Sequence, residues 1–370
     1  MQGRRLTVLQ LLPALETGGV ERSTLEVGAA LVAAGHRSVV VSGGGRLVPQ
    51  LVAAGSEHIR MSIGRKSLLT LRHVGGLRRL IASLAPDIVH ARSRLPAWLA
   101  HYALKGLTAP RTHLVTTAHG LNSPGRYSAI MTRGERVIAV SHTVRDYLIT
   151  HYEIDPARIV VIPRGIDTAE FPYGHRPDEE WTSRFFSQFP QLAGAPLLTL
   201  PGRGTRLKGH HDAIELLTAL KSRGIETRLL LLGAREATRS AYVSELEQLA
   251  RDRGVADWMA ISEPRDDVRD VFAASALVLQ LSTKPEAFGR TVVEALALCR
   301  PVLGYAHGGV GELLSELYPA GRVPYGDNGK LIERAAELLR LAPAIPLLDR
   351  YHLADMQAAT LALYGEIAGA

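Results

Sequence analysis

A chain of 370 residues is long for one hydrophobic core and comfortable for two domains. Its 46% apolar and 21% charged residues fit an ordinary globular protein, and the single cysteine, Cys299, excludes an internal disulfide or a cysteine-built metal site. The net charge of +7 is uneven: residues 1–170 hold 21 Lys and Arg against 11 Asp and Glu, whereas residues 171–370 hold 22 against 25. The first half is therefore suited to an anionic partner (nucleic acid, a lipid surface or an acidic substrate), unless it is only an arginine-rich solvated surface.

The chain opens with "MQGRRLTVLQLLPALETGG". Gln10 and Pro13 interrupt its apolar run and no small-x-small cleavage site follows, so a buried strand ending in a glycine turn fits better than an export signal. No apolar run is long enough to span a bilayer, and a cytoplasmic protein is expected. "GGVERSTLEVGAALVAAGH" then reads as a turn and an amphipathic helix. "SVVVSGG", "DIVHAR", "HLVTTAHG" and "RVIAVS" are short β-rich runs separated by helical periodicity. One more strand, "RIVVIP", leads into a Pro/Gly-rich linker, after which the alternation restarts with "PLLTLPGRG", "TRLLLLG", "WMAIS", "LVLQLS" and "RPVLGY". Strands alternating with helices predict parallel sheets covered on both faces. The expected fold class is α/β, with two doubly wound Rossmann-like domains at 1–170 and 171–345. A closing helix at 346–370 is expected to pack back on the first domain.

In doubly wound sheets ligands bind beyond the carboxyl ends of the strands. Gly18 and Gly19, His119 and Gly120, Gly202 to Gly209, and Glu286 to Gly289 all fall at such exits. In "GRGTRLKGHHDAIELL" glycines allow a tight turn, and Arg203 and Lys208 place two cations at a helix start, which suits a diphosphate. The order of residues is not that of a P-loop, and no turn supplies the dinucleotide fingerprint of an oxidoreductase. His101, His113 and His119 lack the spacing of a helical metal pair, and the adjacent His210 and His211 diverge, so no metal site is expected. In "TKPEAFGRTVVEALAL" Glu286 precedes a helix and Glu294 lies within it among apolar neighbours. Glu286 reads equally well as a helix-capping acid or as a ligand for hydroxyl groups. Glu294 reads as partly exposed or as a ligand for a sugar's paired hydroxyls.

The Glu286/Glu294 pair, with Phe288, Gly289 and "EALALCRPVLGYAHGGVGE", resembles the donor-site signature of the GT-B glycosyltransferases of family 4. "GGVE", "PDIVHARS", "TTAHG", "VIAVSHTVRDYL", "IVVIPRGIDTAEF" and "GRGTRLKG" follow in the family's order, so the resemblance spans almost the whole chain. It implies two Rossmann-like domains facing across a cleft and a retaining, metal-independent transfer from a nucleotide sugar, UDP- or GDP-linked, with no further cofactor. Glu294 would hold ribose hydroxyls, Glu286 the donor sugar, and Arg203 and Lys208 the leaving diphosphate. Backbone N–H groups near Phe288 and Gly289 would assist, Gly18 and Gly19 would let the first domain approach the diphosphate, and His119 would sit near the donor sugar and the incoming hydroxyl. Arg92 and Arg94 would meet an anion on the acceptor, or else be surface arginines. The sequence departs from the family pattern at Cys299, usually Gly, and at Arg164, commonly Asn.

The implied acceptor is an anionic glycan or lipid-linked molecule of the bacterial envelope, such as lipopolysaccharide core. Alternatives keep the fold and act on a soluble acceptor or epimerise a nucleotide sugar. Nucleic acid is not expected as a partner, because stacked aromatics and a recognition-helix motif are missing. In "HIRMSIGRKSLLTLRHVGGLRRLIASL" Arg60, Arg65, Lys66, Arg72, Arg78 and Arg79 accompany Leu68, Leu69, Leu71, Leu77, Leu80 and Ile81. This stretch is expected to include an amphipathic helix whose cationic rim touches anionic lipid of the inner membrane.

Overall fold

The computed structural model describes residues 4–369 except 17, 66, 108–111 and 342. The chain divides into two compact units, Met1–Gly165 with Leu353–Ala370, and Ile166–His352.

The first unit alternates β1 (Thr7–Leu11), α1 (Gly19–Ala33), β2 (Arg37–Ser42), α2 (Val48–Ala53), β3 (Glu57–Arg60) and α3 (His73–Leu84). It continues with β4 (Ile88–Ala91), α4 (Arg94–Leu104), β5 (His113–Ala118), β6 (Arg136–Ala139), α5 (His142–His151) and β7 (Ile159–Val161). The seven strands pair in parallel in the order β3-β2-β1-β4-β5-β6-β7. Chain order reverses between β1 and β4, which makes the carboxyl ends of those two strands the switch point. Val8, Leu9 and Leu11 of β1 are fully buried, as a strand covered on both faces requires.

The second unit comprises α6 (Glu179–Gln188), β8 (Leu197–Pro201), α7 (His210–Ser222), β9 (Arg228–Leu232), α8 (Ser240–Asp252), β10 (Met259–Ile261) and α9 (Val268–Ala274). β11 (Leu277–Gln280), α10 (Arg290–Ala297), β12 (Val302–Tyr305), α11 (Gly308–Leu317), β13 (Arg322–Val323) and α12 (Asn328–Leu341) complete it. Its parallel sheet runs β10-β9-β8-β11-β12-β13, with the switch point between β8 and β11.

The last helix, α13 (Leu353–Ala368), belongs to the first unit. Met356, Leu363 and Tyr364 enter a core formed by Leu6, Val8, Val27, Leu31, Ile88 and Val115, which would otherwise meet water on that face. The Tyr364 hydroxyl lies 2.5 Å from His90 Nδ1, and Thr117 Oγ1 lies 2.6 Å from His90 Nε2. Both nitrogens of this buried ring are thus satisfied. Burial, then the nearby Arg92 and Arg164, hold His90 well below the usual histidine range.

Cys299, where the family pattern has glycine, follows α10 at φ +59°. That left-handed conformation ends helices cheaply only in glycine, which explains the pattern by backbone handedness rather than by packing against Pro301. Cys299→Gly is therefore expected to stabilise the second unit by about 0.5–1 kcal/mol, after allowance for glycine's extra freedom when unfolded. Urea unfolding measures this, and a lower midpoint at equal slope would contradict it.

Candidate functional site

In the second unit the switch point is flanked by the loops after β8 and β11. The β8 loop carries Gly202, Arg203 and Lys208 and closes at Gly209, which has φ +74°. A Cβ on Gly209 would stand 2.0 Å from the Leu281 carbonyl oxygen, so only glycine lets the two loops touch there. Gly289, at φ +98°, precedes α10 in the same way, since a Cβ would lie 2.8 Å from Val310 Cγ2. Phe288 is buried beneath it, its ring 5.8 Å from that of Tyr351.

This contact brings Lys208 Nζ to 2.5 Å from Glu286 Oε1. Ser282 Oγ donates to the same oxygen, and Ser282 is itself held through its carbonyl by His307 Nε2 at 2.7 Å. No side-chain cap forms at the start of α10 and Glu286 bonds Lys208 and Ser282 instead, so Glu286 is not a helix cap, and the helix N-terminus carries a partial positive charge that favours an anion. Glu294 is 6% exposed, not partly exposed, and accepts from Arg290 Nε at 3.0 Å one turn earlier. Arg203 is exposed and forms no ion pair among the described residues. The second unit thus gathers Arg203, Lys208, Glu286, Phe288, Gly289 and Glu294 around one switch point. Ser282 gave no motif in the sequence and His307 lay within the quoted signature without a role of its own, whereas the Arg290–Glu294 pair was readable from its i,i+4 spacing.

His210, which follows Gly209, is fully buried and is pushed by burial to a pKa of about 4. His90 and His210 stay neutral in the folded protein, while their unfolded counterparts protonate near pH 6.5. The unfolded state therefore binds more protons as pH falls below 6.5, and stability declines in that window. Lowering pH from 7.5 to 5.5 is expected to cost about 1 kcal/mol for each such histidine, and His119 of the first unit, also held well below the usual range by burial, adds to His90 and His210. Denaturant titrations at both pH values check this, and equal stability would rule it out.

In the first unit Gly18 precedes α1 without a side-chain cap, leaving the start of that helix open, with Gly19 as its first residue. The carboxyl ends of β1, β4, β5 and β7 bring together Gln10, Arg92, His119 and Arg164, and α1 adds Ser23. Arg92 Nε donates to Gln10 Oε1 at 2.7 Å and its Nη1 to Ser23 Oγ at 3.3 Å. Arg164 donates through Nη1 to Ser23 Oγ and through Nη2 to His119 Nδ1. Arg92 is 2% exposed, which excludes the reading as a surface arginine: Gln10 and Ser23 take its Nε and Nη1 inside the unit. Arg94 is half-buried at the start of α4, donates to Ser128 Oγ at 3.3 Å and lies 5.3 Å above the Tyr127 ring. His119 Nε2 and Arg92 Nη2 are buried without partners among the described residues.

The sequence profile described as Glycosyltransferase Family 4 matches residues 17–170, and that described as Glycosyl transferases group 1 matches residues 183–345. A D-inositol 3-phosphate glycosyltransferase of Acidothermus cellulolyticus is 28% identical over 75% of this chain and 66% of its own. The matches to three others of that name, from Corynebacterium kroppenstedtii, Actinosynnema mirum and Kineococcus radiotolerans, span only 40% to 43% of their length. A glycosyltransferase structure from Rickettsia africae is 27% identical, superposes with a TM-score of 0.86 and is covered to 98%, as is this chain. Anabaena HepE in complex with UDP-glucose shares the fold at TM-score 0.77 and 20% identity, with 99% of each chain covered. With the two profiles matching one sheet each and the solved neighbours sharing the GT-B fold, the chain belongs to the glycosyltransferases, a family 4 domain followed by a group 1 domain.

Proposed function

We propose that the protein transfers a sugar from a UDP- or GDP-linked donor to a hydroxyl of an anionic acceptor, with retention at the anomeric carbon and no metal requirement. The observation that carries this reading is the Lys208–Glu286 pair beside the uncapped start of α10. It sets a cation and a helix N-terminus where a departing diphosphate develops charge, next to a carboxylate able to hold sugar hydroxyls. Arg203 adds a second cation, and Glu294 is the carboxylate for the ribose. HepE was solved with UDP-glucose, which supports a uridine-linked donor.

For the acceptor, an envelope glycan or lipid-linked molecule fits the basic first unit. Between residues 58 and 134 the only acid is Asp87, which pairs with Arg4, against twelve Lys and Arg. α3 buries Leu77 and Ile81 and leaves Arg79 exposed, with Leu71 and Arg72 exposed just before it and Tyr102 and Lys105 exposed at the end of α4, where Arg78 donates to the Tyr102 carbonyl. Lys66 and the side chains of Leu68 and Leu69 lie outside the described residues. Peripheral contact with anionic lipid, at about 1 kcal/mol per basic residue, belongs to this reading. The name shared by the curated relatives favours a second one, a soluble phosphorylated polyol as acceptor.

Mass spectrometry of reactions pairing UDP- and GDP-sugars with lipid-linked glycans or inositol phosphates, with and without chelator, tests the proposal. Transfer that survives chelation and keeps the anomeric configuration supports it. Inversion, or activity only with added metal, would sink the mechanism.

A further inference from the structure

The first unit holds a polar cluster that the sugar-transfer chemistry leaves unexplained. Four strand ends and α1 converge on Gln10, Ser23, Arg92, His119 and Arg164, all buried except the part-exposed His119. Arg164 is 9% exposed, and its two terminal nitrogens are directed at different partners, Ser23 Oγ and His119 Nδ1. It also lies 3.9 Å from Met356 Sδ of α13.

A guanidinium has donors and no acceptor. The ring nitrogen it meets must therefore present a lone pair, so His119 Nδ1 carries no proton. A neutral imidazole has one N–H, which leaves it on Nε2. That atom is buried and unpartnered, although an unmet buried donor is costly. A donor held so firmly on one side and left open on the other is suited to a ligand oxygen.

We propose that Arg164 is a positioning residue that fixes His119 as its Nε2–H tautomer, aimed as a neutral hydrogen-bond donor at an oxygen of the reacting sugars. The identity of that oxygen rests on the sugar-transfer reading above, but the tautomer does not. No proton is exchanged in this role: the Nε2–H bond stays intact through the reaction. Neutrality is secured by the surroundings, since burial comes first and Arg164, Arg92 and His90 all disfavour a charge on His119. Glu26 is the acid that offsets Arg92 within the cluster. The departure from the family's usual asparagine at Arg164 thereby acquires a role of its own.

Histidine-labelled full-length protein, followed by 15N NMR from pH 5.5 to 8, tests the inference. His119 is expected to show a protonated Nε2 and a bare Nδ1 throughout. In Arg164→Met the two tautomers should mix, while burial, Arg92 and His90 still keep the ring neutral across that range. The same variant should lose about tenfold in kcat, one hydrogen bond's worth, while nucleotide affinity stays within twofold. A wild-type His119 that is protonated on Nδ1, or titrates near 6.5, overturns the inference, and so does an unchanged tautomer in Arg164→Met. Should that variant not fold, the wild-type spectrum alone decides. The expected spectrum without transfer from any nucleotide sugar would remove the proposed function and leave the positioning role standing.

Discussion

Replacing Lys208 with alanine is expected to lower transfer by about 10²-fold or more, because a cation is then missing where the diphosphate gathers charge. The effect should exceed simple charge loss. Lys208 is also the 2.5 Å partner of Glu286, so its removal frees a half-buried carboxylate to turn towards Ser282 alone. If the pair works as one unit, Lys208→Ala combined with Glu286→Ala should be little slower than the worse single variant. Rates at saturating donor for all three variants give the answer. Near-wild-type turnover in Lys208→Ala would remove Lys208 from the chemistry, and strict multiplication of the two losses would mean separate roles.

The second large effect is on binding. Glu294→Ala is expected to weaken nucleotide affinity by about 2–4 kcal/mol, the worth of two charge-assisted hydrogen bonds to a ribose. Glu294 is 6% exposed and bonded to Arg290, so the substitution also leaves Arg290 without this carboxylate. Breaking such a pair costs fold stability. Glu294→Gln separates the two effects: it keeps the shape and an acceptor for Arg290 but removes the charge that strengthens ribose binding. Calorimetry on variants shown to be folded decides the point. Unchanged nucleotide affinity in both variants would assign Glu294 to internal pairing with Arg290 alone.

Eleven strands, their alternation with helices and the four strand-exit loops were legible because each is written locally, in periods of two or 3.6 residues and in glycines, whereas the short edge strands β3 and β13 carry too little pattern and were not read. The linker was visible too, although the division falls at Gly165/Ile166, slightly earlier than expected. What could not be read depends on partners distant in sequence. Glu286 was as good a helix cap as a ligand until Lys208, 78 positions away, was seen to approach it. Arg92 follows a strand, and arginines there are commonly exposed. Its burial needs Gln10 and Ser23, one a polar residue in an apolar strand and the other an unremarked helix serine. Gln10 was the available signal, since a buried amide requires company.

The return of α13 to the first unit has a consequence for biosynthesis. Ribosomes deliver Leu353–Ala370 only after every residue of Ile166–His352, so the unit begun first is completed last. At about 5–20 residues per second, that interval lasts roughly 10–40 s. Throughout it, the side of Leu6, Val8, Ile88 and Val115 that Met356, Leu363 and Tyr364 will cover faces water on the nascent chain. The second unit, contiguous in sequence, can close in the meantime. Chaperones that recognise apolar strands on emerging chains would therefore find their substrate in the amino-terminal half, and release it when Tyr364 reaches His90.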